Sequence, residues 1–291
     1  MNFLKSLSKK PVIGGAVRYL MQVLANQQAK SIANHFSEYL QPTVAMTESE
    51  KEKAFAIRHD VYCEELKFEP LRESRLENDE FDKQSIHCLI QHRSTEKYAG
   101  TVRMVCSNSP EQLLPIEKYC LDSIDHPTLN PNLFKREEIC EISRLAVPSE
   151  FRRRQSDKFK GAATGAINET VYSERELRCF PFIAVGLYLS AASVVMKAGV
   201  KHVFVMMEPR LARSLKFVGI EFEQIGPVVD YHGKRAPYYI DPYSLHKTLS
   251  PGFQLLFKNI INDLSLDNKE NFDAELIGVH AFPKKLIQTE S

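Results

Sequence analysis

Apolar positions recur at two spacings along the chain, and each spacing predicts its own kind of element. Val17, Leu20, Met21, Leu24, Ile32, Phe36 and Leu40 fall near helical spacing, which predicts an amphipathic helix over residues 16–40. Val44 to Met46 reads as a short first strand. Thr47 and Glu50 then form a capping box that opens a helix marked by Phe55, Val61, Tyr62 and Leu66. A polar loop carrying Asp79 and Asp82 follows, and the runs Ile86–His92 and Tyr98–Cys106, joined by a charged turn, predict a hairpin. Residues 110–120 read as a loop with one helical turn, and Pro127 and Pro131 mark a connector.

The C-terminal half repeats the alternation of elements. The uncharged run Cys179–Met196 is diluted by Pro181, Gly186, Ser190 and Ser193 and leads into a strand pattern, so it predicts a buried helix over 181–198 and not a membrane span. A strand over His202–Met207, a helix over Pro209–Val218 and a strand over Ile220–Ile225 follow. The run 228–240 predicts a hairpin turning at His232 and Gly233, and Leu255–Leu264 a last amphipathic helix. This order predicts an α/β fold with a mixed, mostly antiparallel sheet flanked by helices.

One strand breaks the apolar rule. Residues 139–147 alternate with a period of two, which sets Glu141, Ser143 and Leu145 on one face and Ile142, Arg144 and Ala146 on the other. A core strand does not hold a carboxylate, a hydroxyl and a guanidinium so close together unless they are paired or at work. It ends at Pro148 and runs into Arg152, Arg153 and Arg154, a basic corner suited to an anionic ligand.

Composition narrows the field. A 43% hydrophobic content supports a real core, and 38 basic against 37 acidic side chains give a formal charge of +1, so no global field attracts nucleic acid. The six cysteines lack a CxxC pair and read as reduced thiols of a cytosolic protein, with Cys63 and Cys140 as buried inert ones. Lys5, Lys9 and Lys10 precede an apolar run that Arg18 interrupts, which argues against an export signal. No GxSxG, HExxH, Walker loop or GxGxxG occurs, and the nine histidines show no metal-ligand spacing; His59, His232 and His246 read as surface or satisfied groups. The expected organisation is an N-terminal helical extension over 1–40, a catalytic domain over 41–245 with a mobile insertion at 155–180, and a C-terminal helix and tail over 246–291.

Several motifs in order carry a resemblance. RHDVYCEE (58–65), Asp79 and Asp82, GTVRM (100–104) and EISRLAV (141–147) resemble the acyl-homoserine-lactone synthases and, more so, the long-chain N-acyl amino acid synthases. The stretches 37–65 and 226–241 are most similar to the acyltransferase associated with PEP-CTERM/exosortase systems. The resemblance spans roughly 36–245. It implies a GNAT-like N-acyltransferase whose sheet splays to admit a pantetheine arm, with the acyl-phosphopantetheine of acyl carrier protein as donor, no permanently bound cofactor and no metal.

In that picture Glu141 is the general base, and the backbone of Leu145, Ala146 and Val147 polarises the thioester carbonyl. Arg58, Asp79, Asp82, Arg103, Ser143 and Arg144 surround an amino acid acceptor. Coenzyme A enzymes of this kind have a glycine-rich turn after the strand, but here no glycine follows the strand until Gly161, so Arg152–Arg154 would meet the single phosphate of a carrier-bound arm. Lactone synthesis from S-adenosylmethionine is the enzymatic alternative, weakened because that group usually has a tryptophan soon after the first arginine and this chain has none. A non-catalytic acyl-carrier or membrane-surface binding module is the alternative of another class. The basic first residues and helix 16–40 are where peripheral membrane contact would arise.

Overall fold

The computed structural model describes residues 31–152 and 182–264. The insertion expected at 155–180, Arg153, Arg154 and the tail from Asp267 lie outside them, as does most of the expected helix 16–40. What is described of that helix, residues 31–39 (α1), packs on the domain. Ala33 and Phe36 are fully buried, and Asn259 donates to the Ser37 hydroxyl at 3.0 Å.

The first strand comes earlier than its apolar pattern suggests. β1 spans Leu40–Val44, because Pro42 ends the helix and drives Gln41 into extended backbone. Proline is tolerated there because β1 is the outer strand of the sheet. The capping box forms as expected: Glu50 N donates to Thr47 Oγ1 at 3.3 Å and Thr47 N to Glu50 Oε2 at 2.9 Å. It opens α2 (Glu48–Arg58), which widens into a π-helical turn over His59–Glu65. β2 (Ser85–His92) and β3 (Tyr98–Cys106) form the hairpin, α3 spans Pro115–Cys120, and β4 spans Ile139–Ala146.

After β4 come α4 (Ser149–Arg152), α5 (Ile183–Lys197), β5 (His202–Met207) and α6 (Pro209–Lys216). The strand expected over Ile220–Ile225 shrinks to β6, Glu223–Gln224. Its two isoleucines are buried in different apolar clusters, so the chain passes the sheet edge and pairs only briefly. β7 (Val229–Asp230) and β8 (Lys234–Ile240) make the late hairpin, followed by α7 (Leu245–Thr248) and α8 (Pro251–Asp263). Among the described residues no helix is long and apolar enough to cross a membrane.

The sheet runs β1-β2-β3-β4-β5-β8-β6, with β7 on β8. β1 to β4 are antiparallel, β4 and β5 parallel, and β8 antiparallel to β5. α1, α5 and α8 pack around one buried cluster that takes Cys140 and Ile142 from β4 and Val203 and Val205 from β5. The opposite face, with Leu89, Val105, Phe204 and Met206, is covered by α2 and α3. Parallel pairing of β4 with β5 covers only Ile139–Glu141 against His202–Phe204. Beyond Glu141 the two strands part, and the sheet opens into a cleft.

Gly186 on α5 packs closely against α1: an added Cβ would lie 2.4 Å from the Phe36 ring. Gly186→Ala is expected to lower stability by about 1–3 kcal/mol through overpacking. Urea unfolding with an unchanged m-value checks this; an unchanged midpoint would mean that α1 yields freely.

Candidate active site

The polar groups of the sheet gather on the α2–α3 face. Arg58, at the end of α2, is fully buried; its Nε donates to Glu77 at 2.5 Å and its two terminal nitrogens to Asp82 at 2.7 and 3.1 Å. Arg103 on β3 donates to Asp79 at 2.5 Å, to Asp82 at 3.0 Å and to the Ser143 hydroxyl at 3.1 Å. Asp79 and Asp82 also cap each other's turn, Asp79 N donating to Asp82 Oδ2 at 2.7 Å and Phe81 N to Asp79 Oδ1 at 3.0 Å. Their spacing of three residues is therefore a reciprocal turn as well as a pair of counterions. Burial pushes the Asp82 carboxyl up, but the guanidiniums of Arg58 and Arg103 outweigh it and hold it well below the usual range. His87, 3.5 Å from Asp82, is pushed down to about 3 by burial, with Arg58 and Arg103 adding to the effect, and stays neutral.

Arg144 overturns one expectation. Simple alternation sets it opposite Glu141 and Ser143, but it lines the same pocket as they do. Its φ is +50°, and pairing slips there: Thr101 faces Ala146 while Arg103 faces Ser143, so β4 carries one extra residue. This is a β-bulge with a left-handed residue, which turns the side chain to the other face. The guanidinium lies 3.1 Å from Glu69, 3.3 Å from Asp79 and 3.4 Å from Glu77, with its carbon over the Tyr62 ring at 5.6 Å.

Glu141 lies on the floor of an open pocket of about 490 Å³, whose walls include Tyr62, Arg103, Ser143, Arg144, Tyr231 and Arg235. It is 3% exposed, and its Oε2 accepts the Ile116 amide at 2.6 Å. Burial pushes its carboxyl up to about 8, while the Ile116 amide, Arg103 and Arg144 pull the other way. α3 is held in place to make that bond: Arg136 donates to the buried Glu117 at 2.6 and 2.8 Å. A buried carboxyl that titrates near neutrality in a pocket suits proton transfer.

The expected site residues thus divide by position. Glu141, Ser143, Arg144 and Arg103 line the pocket, whereas Arg58 and Asp82 are buried behind it and Asp79 bridges the two groups. Leu145, Ala146 and Val147 run along the cleft; the Leu145 carbonyl accepts from Tyr62 OH at 2.7 Å, and Ala146 pairs with Thr101. Arg152 is bound to Glu65, whose other oxygen accepts Ser149 N at 3.0 Å. Glu69, Glu77, Tyr62 and Arg235 escaped the sequence reading. Charge balance was the available signal for two of them, since Asp79 and Asp82 cannot neutralise Arg58, Arg103 and Arg144.

His59 departs from expectation too, being buried with Nδ1 unpartnered while Nε2 accepts Arg72 N at 3.3 Å. The π-helical turn brings it together with Asp60 and Glu64, their ligand atoms within 4.8 Å of one another, although the plain sequence spacing suggested no ligand set. Arg75 already pairs with both carboxylates, at 2.8 Å from Glu64 and 3.7 Å from Asp60. Cys63 and Cys140 are buried thiols pushed up by that burial, so neither is an activated nucleophile.

Residues 57–160 match the family described as acetyltransferase (GNAT) domain. TofI, solved in a ternary complex with an inhibitor and MTA, has a TM-score of 0.50 at 14% identity over 72% of this chain and 98% of that one. The fold is GNAT-like. BjaI, a CoA-dependent acyl-homoserine lactone synthase solved with SAM and isopentyl-CoA, also gives 0.50 at 14%, over 76% and 98% of the two chains. FeeM, an N-acyl amino acid synthase from uncultured soil microbes, gives 0.48 at 13%, over 72% and 94%. No curated protein matches the chain. The matched residues include Glu141 and the bulge at Arg144, while β5, the far side of the cleft, lies beyond them.

Removing one partner of a buried ion pair strands the other, at about 3–5 kcal/mol. Asp82→Asn is expected to lose that much at pH 7. The Asp82 contribution is present above the ordinary carboxylate pKa of about 4 and fades as pH falls below it, because the folded value is depressed. The gap in urea midpoint between wild type and variant should therefore be full at pH 7 and begin to narrow below pH 4, with much of it still present at pH 3. A gap of the same size at pH 7 and in stronger acid would contradict the charge pairing.

Proposed function

We propose that this chain moves a long-chain fatty acyl group from acyl carrier protein to the α-amine of an amino acid. The observation that carries the reading is Glu141: a buried carboxyl, pushed up to about 8, in an open pocket at the point where β4 leaves β5. An amine attacking a thioester must give up a proton, and the ionised Glu141 takes it, directly or through one water. The carbonyl oxygen becomes an oxyanion, which in this reading meets the backbone along Leu145–Val147, a reading supported by the end of β4–β5 pairing at Glu141. The adduct collapses to the amide, and the pantetheine sulfur leaves with a proton.

A second, narrow and apolar crevice has the lining that a fatty donor would call for. It lies on the other face of the sheet, between Ile142 and α5, with Tyr188, Val195, Phe222 and Ile240 around it. An acyl chain entering it from the cleft would have to part these side chains. The carrier-protein donor is favoured by the lack of glycine between the end of β4 and Gly161 and by the basic corner, which suits an acidic carrier surface. Because Arg152 is engaged by Glu65, Arg153 and Arg154 carry the phosphate contact in this reading. The association with PEP-CTERM/exosortase systems rests on the likeness of residues 37–65 and 226–241 alone.

Mass spectrometry of lipid extracts from a host expressing the protein tests the reaction. New N-acyl amino acids that vanish in Glu141→Ala are expected; lactones, or unchanged lipids from folded protein, would sink the proposal. With purified acyl carrier protein donor and saturating acceptor, kcat is expected to rise through pH 8 as Glu141 ionises. Glu141→Gln should remove that limb and lower kcat by about 10²–10⁴-fold. A limb kept intact in the variant would take the base assignment away from Glu141.

A further inference from the structure

Arg235 differs from every other arginine that meets the pocket. Arg103 and Arg144 are each bonded to carboxylates of the loop before β2. Arg235 comes from the other side, at the start of β8 opposite Val229. It is partly buried, its Nε is sealed from solvent without a hydrogen-bond partner, and no carboxylate among the described residues pairs with it. Yet it lines the same pocket as Glu141. An Nε–H sealed from water with no acceptor loses its hydration and gains nothing in return, unless a ligand supplies the acceptor.

We propose that Arg235 receives the α-carboxylate of the acceptor amino acid and so directs its α-amine towards Glu141. The inference rests on the acyl-transfer reading above and adds the group that selects the acceptor. In an α-amino acid the amine and the carboxylate share one carbon, so the groups that recognise them must open into one small space. Glu141 on β4 and Arg235 on β8 do so from either side of β5. The other two arginines of the wall, Arg103 and Arg144, are already engaged by carboxylates. Arg58, Arg103 and Arg144 face Glu69, Glu77, Asp79 and Asp82, which leaves that cluster one negative charge in excess. The planar fork of an arginine matches a carboxylate in two parallel bonds, which a lysine cannot reproduce.

The test compares an amino acid with its carboxamide as acceptor, using the full chain and acyl carrier protein donor. Arg235→Gln is expected to raise KM for the amino acid by about 30-fold or more, with kcat changing less than tenfold. Arg235→Lys should recover part of that loss. The carboxamide should already be a poor acceptor for wild type and be little affected by either variant. Equal losses with both acceptors, or an unchanged KM for the amino acid, would overturn the assignment and leave a structural cation. Wild type that acylates the carboxamide as well as the amino acid would overturn it too, while leaving acyl transfer intact. Calorimetric titration of the amino acid without donor reads the site separately from turnover. Binding lost in Arg235→Gln supports the proposal, and binding that is absent in wild type or unchanged in the variant refutes it.

Discussion

The carboxylate of Asp82 is where the parts of this protein are tied together. It accepts from Arg58 at the end of α2 and from Arg103 in the middle of β3, and it turns its own loop by accepting the Asp79 amide. Helix, loop and sheet are thereby fixed to within hydrogen-bond tolerance at one buried point. The geometry of the pocket follows from this. Arg103 can hold Ser143, and the loop can present Glu69, Glu77 and Asp79 to Arg144, only while Asp82 keeps both guanidiniums in place. Such a network is costly to assemble from solvated ions, and its return is position more than stability.

The second constraint is the change in pairing along β4. Cys140 and Glu141 are held on both sides, by β3 and by β5; from Ile142 on, the strand pairs with β3 alone. The bulge at Arg144 falls just after that change, and the added residue bends the strand away from β5. Gly100 allows β4 to end close against β3, since a Cβ there would sit 3.0 Å from the Ala146 carbonyl. One strand therefore supplies a buried carboxyl, a cleft and an unpaired backbone edge within eight residues.

Much of the frame was legible in the chain. The β2–β3 hairpin, β5 and α5 follow from clear periods bounded by turn residues, and the Thr47–Glu50 box forms as written. Three features were not legible, each for a physical reason. The bulge is invisible to a period-two reading, because a single left-handed residue reverses the face of what it carries. Ile220 and Ile225 look like one strand but anchor on different faces of the sheet. The carboxylates that complete the cluster, Glu69 and Glu77, come from a loop without periodicity, where only the path of the backbone decides which acids turn inward. Arg235 was hidden in the same way. Its place on a hairpin strand reads as an ordinary solvated charge until the opposite wall of the pocket is known.

The shared use of one set of carboxylates has a consequence for how such a protein can diverge. Asp79 holds Arg103 and Arg144 at the pocket and also turns the loop that brings Asp82 to Arg58, so the wall and the frame cannot vary separately on that side. Phe68, Tyr231 and His232 carry no such duty; they touch one another through ring contacts and stand outside the ion-pair cluster. Descendants that accept a different side chain on the acceptor would be expected to change at those three positions, with the charged half of the pocket inherited intact.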